Sequence, residues 1–373
     1  MRLFSYIAAI ITLFITEGCT NSEAQPSRHD ESHLISDTTP TTDTEQQRYR
    51  IMMMGDIMLG TQHPFNDTGA YLPLNDGINL FDSIAPILHK GDFVVGNLEG
   101  VFLDRSEEAD KCLNDFSAYN FMMPTRYAHL LKDAGFTALA ITNNHANDFH
   151  QMGVRSTCET LRNVGLPYSG VKSEGGYTLI ERNRVKYALC AFSTSPGGYH
   201  MDDISTARQI VNEADSIANI VIVSFHGGAE GVGATHVPKQ KEWFKQVRSR
   251  GDVYKFSRAC VDAGADIVFG HGPHVARAIE IYNDRIIAYS LGNFCTPTGI
   301  NISGKLGYAP LLEVEINTTG KFIKGQIHSF KQCKRNGPLP DSTHSVACEI
   351  NTLSISDFPD THPTISPTGT ITR

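Results

Sequence analysis

Five apolar segments of this chain each end in a cluster of carboxylate, amide or imidazole side chains. The clusters occupy residues 55–56, 97–99, 143–148, 226–230 and 271–274. Apolar strands that alternate with amphipathic segments are typical of α/β sheets, and this alternation constrains the fold more than any other feature. Because ligands of open α/β sheets bind outside the carboxyl ends of the strands, the sequence predicts one polar crevice built from all five clusters.

Amphipathic segments between the apolar strands predict five helices. They cover residues 79–89, 124–134, 154–164, 204–218 and 253–263. Between residues 177 and 192, and again from 277 to 330, strands follow one another without space for helices. The earlier stretch predicts a hairpin that turns at Asn183 and Arg184. Parallel units combined with hairpins predict an α/β fold in which two sheets pack face to face with helices outside.

Residues 1–19 have the pattern of a signal peptide. Arg2 precedes an apolar run that is too short to span a bilayer, and the run ends at a small residue followed by Cys19. This ending resembles the cleavage box of bacterial lipoproteins and predicts lipid attachment at Cys19. Ordinary secretion, with Cys19 removed or free, is the alternative. The chain is therefore predicted to be exported, as a membrane-anchored lipoprotein of the periplasm or cell surface.

The chain ends differ in composition from its centre. Residues 20–48 are polar and almost lack aliphatic side chains, which predicts a disordered tether. Residues 316–352 are predicted to be C-terminal strands that complete the domain, and residues 353–373, rich in Thr, Pro and Ser, a mobile tail. The formal net charge is −8 and no basic stripe is present, which argues against a nucleic-acid partner.

The cysteines have no C-x-x-C spacing, which argues against a zinc knuckle. In an exported protein, Cys112 with Cys158, or Cys333 with Cys348, can form disulfides. The sequence alone does not choose between these pairs.

Two carboxylates are candidate metal ligands. Asp56 follows a strand and has glycines on both sides, which allow a metal to approach; the alternative is a turn aspartate that caps a helix. Glu99 follows Asn97 after the next strand, and its alternative is a solvated loop residue. Each carboxylate alone is a weak signal, and only their combination indicates a site.

Three histidines complete the candidate set. His226 ends a strongly apolar strand and precedes two glycines, which a structural core histidine would not need. His271 and His274 lie in one short turn, a common arrangement for metal ligands, although a structural role is the alternative. With Asp56, Glu99 and Asn144, they offer oxygen and nitrogen ligands without cysteine, which suits manganese, iron or zinc.

A further apolar strand ends at residues 289–294. Tyr289 and Asn293 are predicted to contact and orient the metal ligands of the same crevice. The alternative is a tight turn that uses Gly292 and Asn293.

Six motifs occur in an order that resembles the CapA family. That family is associated with bacterial capsule and poly-γ-glutamate synthesis, and its domain is similar to the calcineurin-like metallophosphatases. The resemblance covers residues 49–315. The motifs are Gly-Asp-Ile-Met-Leu-Gly at 55–60, Gly-Asn-Leu-Glu at 96–99, Asn-Asn-His-Ala-Asn-Asp at 143–148, His-Gly-Gly-Ala-Glu at 226–230, Gly-His-Gly-Pro-His-Val at 270–275 and Tyr-Ser-Leu-Gly-Asn-Phe at 289–294.

The resemblance implies a four-layer α-β-β-α sandwich that holds two divalent metals about 3.5–4 Å apart. It implies that Asp56 binds one metal and that Glu99 bridges the two. The other ligands would be Asn144, His226, His271 and His274, supported by Asn97, Asn143, Tyr289 and Asn293.

The resemblance also implies catalytic residues. His145 would protonate the leaving group, and Asp148 would hold the His145 ring in orientation. Glu230 is the third candidate catalytic residue. Two departures from the superfamily pattern predict that one metal site has altered ligands. Met58 stands where a first-strand histidine is usual, and Gly272 replaces the first histidine of a His-Pro-His motif.

The residues and the resemblance together predict a metal-dependent hydrolase of the cell envelope. Its substrate would be a phosphoester or amide bond in an anionic polymer or a precursor of that polymer. The alternative is a non-catalytic subunit that binds polymer or acts as a scaffold while membrane proteins synthesise and export the capsule.

Overall fold

The computed structural model describes residues 47–61, 72–104 and 119–373. The predicted signal peptide, Cys19 and the predicted tether up to residue 46 lie outside the described residues. The first strand begins at Arg48, one residue before the predicted start of the domain. None of the helices in the described ranges combines the length and apolar character needed to cross a bilayer.

The described residues form 22 strands and six α-helices. The first strands are β1 (Arg48–Ile57), β2 (Phe93–Leu98), β3 (Val101–Phe102), β4 (Met122–Met123), β5 (Ala138–Ala140), β6 (Tyr168–Ser169), β7 (Thr178–Arg182), β8 (Val185–Ser193), β9 (Tyr199–His200), β10 (Ile220–His226) and β11 (Glu242–Phe244). The later strands are β12 (Arg248–Gly251), β13 (Ile267–His271), β14 (Ile279–Tyr282), β15 (Arg285–Ala288), β16 (Asn293–Cys295), β17 (Leu311–Asn317), β18 (Phe322–His328), β19 (Phe330–Cys333), β20 (Gly337–Pro340), β21 (Thr364–Ile365) and β22 (Thr370–Thr372). The helices are α1 (Ala85–Leu88), α2 (Tyr127–Ala134), α3 (His150–Val164), α4 (Ile204–Asp215), α5 (Val253–Val261) and α6 (Ser345–Asp357).

Two large mixed sheets contain most of the strands. The first has the order β21-β22-β18-β17-β1-β2-β5-β6, with β16 beside the end of β1. Strand β1 lies at its centre, parallel to β2 and antiparallel to β17. The second has the order β14-β15-β13-β10-β8-β7, with β8, β10, β13 and β15 parallel. The predicted hairpin is confirmed, since Asn183 and Arg184 join β7 to β8 with φ of 50° and 66°.

The sheets pack face to face because alternate residues of each strand point to opposite sides. Ile51 and Met53 of β1 face the core between the sheets, whereas Met52 and Met54 face the core under α1, α2 and α3. A third core packs α4 and α5 on the outer face of the second sheet. The predicted four-layer α-β-β-α sandwich is therefore confirmed.

Four of the five predicted helices are present as α2 to α5. The prediction over residues 79–89 is wrong for most of its length, since only Ala85–Leu88 is helical. Pro86 lies in the first turn of this short helix. Proline fits there because the N–H groups of a first turn have no partner within the helix. The residues before it form turns whose Leu80 and Phe81 are nevertheless buried in the core.

The prediction of a mobile tail over residues 353–373 is wrong. Helix α6 continues to Asp357, and β22 pairs with β18 in the first sheet. Ile365 and Ile371 are buried in the core between the sheets. Residues 316–352 complete the domain as predicted, but the last of them, from Ser345 onward, are helical rather than strands.

Replacement of Ile371 by alanine is expected to destabilise the domain by about 2–5 kcal/mol, because the side chain is fully buried. Urea unfolding followed by circular dichroism measures the free energy of unfolding. The exposed neighbour Thr370 is the control, and Thr370→Ala should change stability by less than about 0.5 kcal/mol. Equal stability of the two variants would mean that the C-terminal strands do not pack as described.

The proposed disulfide between Cys333 and Cys348 is not formed, and both thiols are free. Cys158 is also a free thiol and is buried in the core beneath α3. Its proposed partner, Cys112, lies outside the described residues.

Candidate metal centre

The carboxyl ends of both sheets supply the candidate ligands. Asp56 lies near the end of β1, and Glu99 directly follows β2. His226 and His271 are the last residues of β10 and β13, and the register of these parallel strands places them side by side. His274 follows in the turn after β13. The prediction that separate strand ends meet in one crevice is confirmed for these five side chains.

Asp56, His226 and His271 form a first group in which the candidate ligand atoms lie within 4.8 Å of one another. The Nδ1 atoms of His271 and His226 lie 3.5 and 3.9 Å from Asp56 Oδ1. The two Nδ1 atoms are 3.0 Å apart. All three side chains are buried, so a cation placed among them would be shielded from water.

Asp56, Glu99 and His274 form a second group of the same kind. His274 Nδ1 lies 3.1 Å from Asp56 Oδ2, and His274 Nε2 lies 4.0 Å from Glu99 Oε1. Asp56 belongs to both groups, whereas Glu99, the predicted bridging ligand, belongs to the second group alone. The reason is topological, since β1 lies centrally between β2 and β16, whereas Glu99 lies beyond the end of β2.

Glu99 provides the clearest test of whether a metal fits. It is buried, and neither carboxylate oxygen has a hydrogen-bond partner among the described residues. Burial, together with the neighbouring charge of Asp56, raises the pKa of Glu99 to about 8. A buried carboxylate without a partner is unfavourable, and a divalent cation would compensate it. The mixed oxygen and nitrogen donors also suit such a cation.

The imidazoles of the first group are electrostatically suited to bind metal. Burial lowers the pKa of His226 well below its usual range, and the charge of Arg250 lowers it further. Burial likewise lowers the pKa of His271 to about 4 despite the opposing charge of Asp56. Both rings are therefore neutral near pH 7, as metal-binding imidazoles must be.

The second group behaves differently. Burial disfavours a charged His274, but Glu99 and Asp56 outweigh it and raise the pKa of His274 to about 10. Burial also opposes ionisation of Asp56, but the hydrogen bond and charge from His274 hold the pKa of Asp56 below its usual value. The positive charge of His274 thus stabilises the Asp56 carboxylate, which is the stabilisation that a bound divalent cation would provide.

Two of the four predicted supporting residues contact candidate ligands directly, and a third contacts one of these two. Asn97 donates to Asp56 Oδ1 at 2.8 Å, and Asn143 donates to Asn97 Oδ1 at 3.1 Å. Asn293 Oδ1 accepts from His274 Nδ1 at 2.9 Å. These bonds fix the orientation of one carboxylate and one imidazole.

The prediction for Tyr289 is wrong. Its hydroxyl donates to Glu280 at 2.7 Å, and its ring stacks on Phe358 in the core outside the second sheet. Successive residues of extended backbone point to opposite faces, so Tyr289 faces away from the crevice.

His145 has the surroundings predicted for it. Its Nδ1 lies 2.7 Å from Asp148 Oδ2, and its ring stacks on Phe121 with the centroids 3.9 Å apart. Asp148 also accepts from the Phe121 backbone N–H at 2.8 Å. The ring is therefore held on two sides, by Asp148 and by Phe121. Asn144, next to it, is half-buried, and its role as a metal ligand stays a prediction.

Two residues near the site were missed in the sequence. Arg250 is buried, lies 3.2 Å from Glu230 Oε1 and donates to the carbonyls of Gly228 and Gly272. Glu230, predicted to be catalytic, is therefore held in an ion pair. Ser224 Oγ lies 2.8 Å from His271 Nε2 and so orients that ring. Ser224 precedes His226 by two residues on one face of β10, which is the signal that would have identified it.

Fold and site together define a class of protein: four-layer α/β sandwiches with a buried crevice of carboxylate and imidazole side chains at strand ends from both sheets. The chain belongs to the family of bacterial capsule synthesis proteins, PGA_cap, whose model matches residues 50–298. This match confirms the family relationship that the six motifs predicted.

Two curated relatives are similar over most of this chain. The capsule biosynthesis protein CapA of Bacillus anthracis is 29% identical over 70% of this chain and 62% of its own length. The PGA biosynthesis protein CapA of Bacillus subtilis is 29% identical over 66% of this chain and 63% of its own length. The chain thus spans less than two thirds of either relative.

Solved structures with partial similarity were also found. The calcineurin-like phosphoesterase YfkN of Bacillus subtilis is similar over 76% of this chain and 90% of its own, with 12% identity and a TM-score of 0.44. A putative 5'-nucleotidase from Staphylococcus aureus is similar over 82% of this chain and 57% of its own, with 14% identity and a TM-score of 0.44.

Proposed function

We propose that this chain is a metal-dependent hydrolase of the bacterial cell envelope that acts in capsule biosynthesis of the poly-γ-glutamate type. The observation that supports this most strongly is the position of Asp56, which two separate groups of buried ligand atoms share. A shared carboxylate between two groups is typical of two-metal hydrolytic sites.

The described residues suggest how two ions would be held. Asp56, His226 and His271 would hold one, and Asp56, Glu99 and His274 the other, with manganese, iron or zinc as the expected metals. Bound divalent ions supply Lewis-acid stabilisation of negative charge. Asn144 would complete one of the two ligand sets.

The protein itself would supply the proton and the orientation. His145, oriented by the contact of its Nδ1 with Asp148, would donate a proton from Nε2 to the departing oxygen or nitrogen of the substrate. Arg250, through its pairing with Glu230 and two loop carbonyls, would keep the glycine-rich turn after His226 in place. Ser224 would keep the ring of His271 in orientation.

The proposed substrate is a phosphoester or amide bond in an anionic envelope polymer or its precursor. The names of the two CapA relatives support a capsule role, and the buried polar crevice supports hydrolysis. Location at the envelope, lipid attachment at Cys19 and assembly with membrane capsule-synthesis proteins belong to the same proposal.

A non-catalytic role is the second candidate. A Mycobacterium tuberculosis relative, 27% identical over 41% of this chain, is named a probable polyglutamine synthesis accessory protein. Met58 is also buried where metallophosphatases usually carry a histidine ligand, which favours a site that binds without turnover. In that case the crevice would bind polymer or metal while partner proteins act.

Metal removal separates the two candidates. The purified chain, treated with a chelator and then supplied with manganese, is expected to lose and regain hydrolysis of a chromogenic phosphodiester. Elemental analysis of the same samples measures bound metal. Turnover that follows metal content supports the hydrolase, whereas metal binding without turnover on phosphodiester or γ-glutamyl amide substrates supports the non-catalytic role.

A further inference from the structure

The hairpin of β11 and β12 carries an unusual set of exposed apolar side chains. Val247 is 80% exposed, the largest exposure among the large hydrophobic residues of the described chain, and Trp243 is 49% exposed. The turn at Lys245 and Gln246, with φ of 47° and 61°, brings Val247 next to Phe244. Exposed apolar side chains on both faces of one short hairpin indicate a contact surface rather than chance exposure.

The same hairpin is positively charged in a chain whose formal net charge is −8. Lys245 Nζ lies 5.3 Å from the ring of Phe244, and Lys241 Nζ lies 5.5 Å from the ring of Trp243. Lys241 also pairs with Asp202 at 2.6 Å. No carboxylate within the described ranges pairs with Lys245 or Arg248. The tip therefore combines aromatic, aliphatic and uncompensated cationic groups.

We infer that this hairpin binds the surface of an anionic lipid bilayer. Aromatic and aliphatic side chains flanked by Lys and Arg are typical of elements that lie in the membrane interface. The cations would contact lipid phosphates, and Trp243 and Val247 would enter the headgroup region. A soluble polyanion would use the cations equally well, but it would leave the apolar tip exposed to water.

The base of the hairpin is joined by hydrogen bonds to the turn that borders the candidate metal site. Glu242, the hairpin's acidic residue, accepts two hydrogen bonds from buried Arg277, at 2.9 and 2.8 Å, and one from the Ala229 backbone. Arg250 reaches from β12 into the turn that follows His226. Val247 is three residues from Arg250, or about 10 Å along an extended strand. Bilayer contact would therefore hold the crevice close to the membrane surface, whether or not the crevice is catalytic.

Trp243 makes the inference directly testable, because it is the chain's single tryptophan. Vesicles of phosphatidylglycerol and phosphatidylcholine, added to the full chain, should shift the tryptophan emission to shorter wavelength, and brominated lipid should quench it. Vesicles of phosphatidylcholine alone should give a much weaker effect. Lys245→Glu should weaken partitioning by at least about fivefold, the effect of one cation near an anionic surface. Val247→Ser should reduce the shift.

A variant that carries its single tryptophan at a different position is the matched control. The double variant Trp243→Phe with Ile355→Trp moves the tryptophan to an exposed position on α6, and its emission should not change. Every variant keeps the same N-terminal residues, so any membrane affinity of residues 1–46 contributes equally. Unchanged Trp243 emission with anionic vesicles, or an equal shift in the relocated variant, would overturn the inference. So would a shift produced by soluble polyglutamate but not by vesicles, or self-association that Val247→Ser abolishes.

Discussion

Asp56→Ala is expected to abolish binding of both proposed metal ions. Its two oxygens face different groups, with Oδ1 near His226 and His271 and Oδ2 near His274. Loss of this carboxylate removes a ligand from both, so affinity should fall by more than the roughly 10–100-fold typical of supporting residues. Elemental analysis after manganese reconstitution should give no bound metal in this variant and two ions in the wild type.

Single-group variants make the prediction sharper. His226→Ala and His274→Ala each remove a ligand from one group only and should each leave one ion bound. Asp133, an exposed aspartate on α2, is the control, and Asp133→Ala should keep both ions. If Asp56→Ala retained one ion while remaining folded, Asp56 would not be shared, and the bridging position first predicted for Glu99 would have to be reconsidered.

The residues that form the candidate site could be predicted from the sequence because their positions follow a local rule. Each ligand follows an apolar strand, and the carboxyl ends of parallel strands meet at one edge. Asp56, His226 and His271 could therefore be identified without knowledge of the strand order. The sequence could not show which carboxylate belongs to both ligand groups. That depends on β1 having β2 on one side and β16 and β17 on the other. Such neighbours are fixed only by tertiary packing.

The errors have different physical causes. Tyr289 was placed in the crevice because its motif contacts the crevice through Asn293, but alternation along the backbone turns the tyrosine outward. Arg250 belongs to a short hairpin that lies in none of the five predicted strand ends, so no local pattern indicated it. Strands β21 and β22 were not predicted, because their polar composition conceals the alternation around Ile371, whose neighbours are exposed threonines.

His145→Ala is expected to reduce turnover by roughly 10²–10⁴-fold, the usual contribution of a general acid. Metal content should stay at the wild-type level, because His145 belongs to neither group of candidate ligands among the described residues. Steady-state hydrolysis of a phosphodiester with an alkyl leaving group, which needs a proton to depart, tests both statements when metal content is measured on the same sample. A substrate whose leaving group needs no proton should be much less affected, which separates loss of an acid from loss of folding.

Asp148→Asn distinguishes orientation from proton donation. The amide can keep a contact with His145 Nδ1 and with the Phe121 backbone, but it cannot stabilise a charged imidazole. Turnover should therefore fall less than in His145→Ala, and metal content should stay at the wild-type level. His129→Ala, at an exposed histidine on α2, should change neither quantity. Wild-type turnover in His145→Ala would exclude this ring as the general acid and would require another proton donor in the crevice.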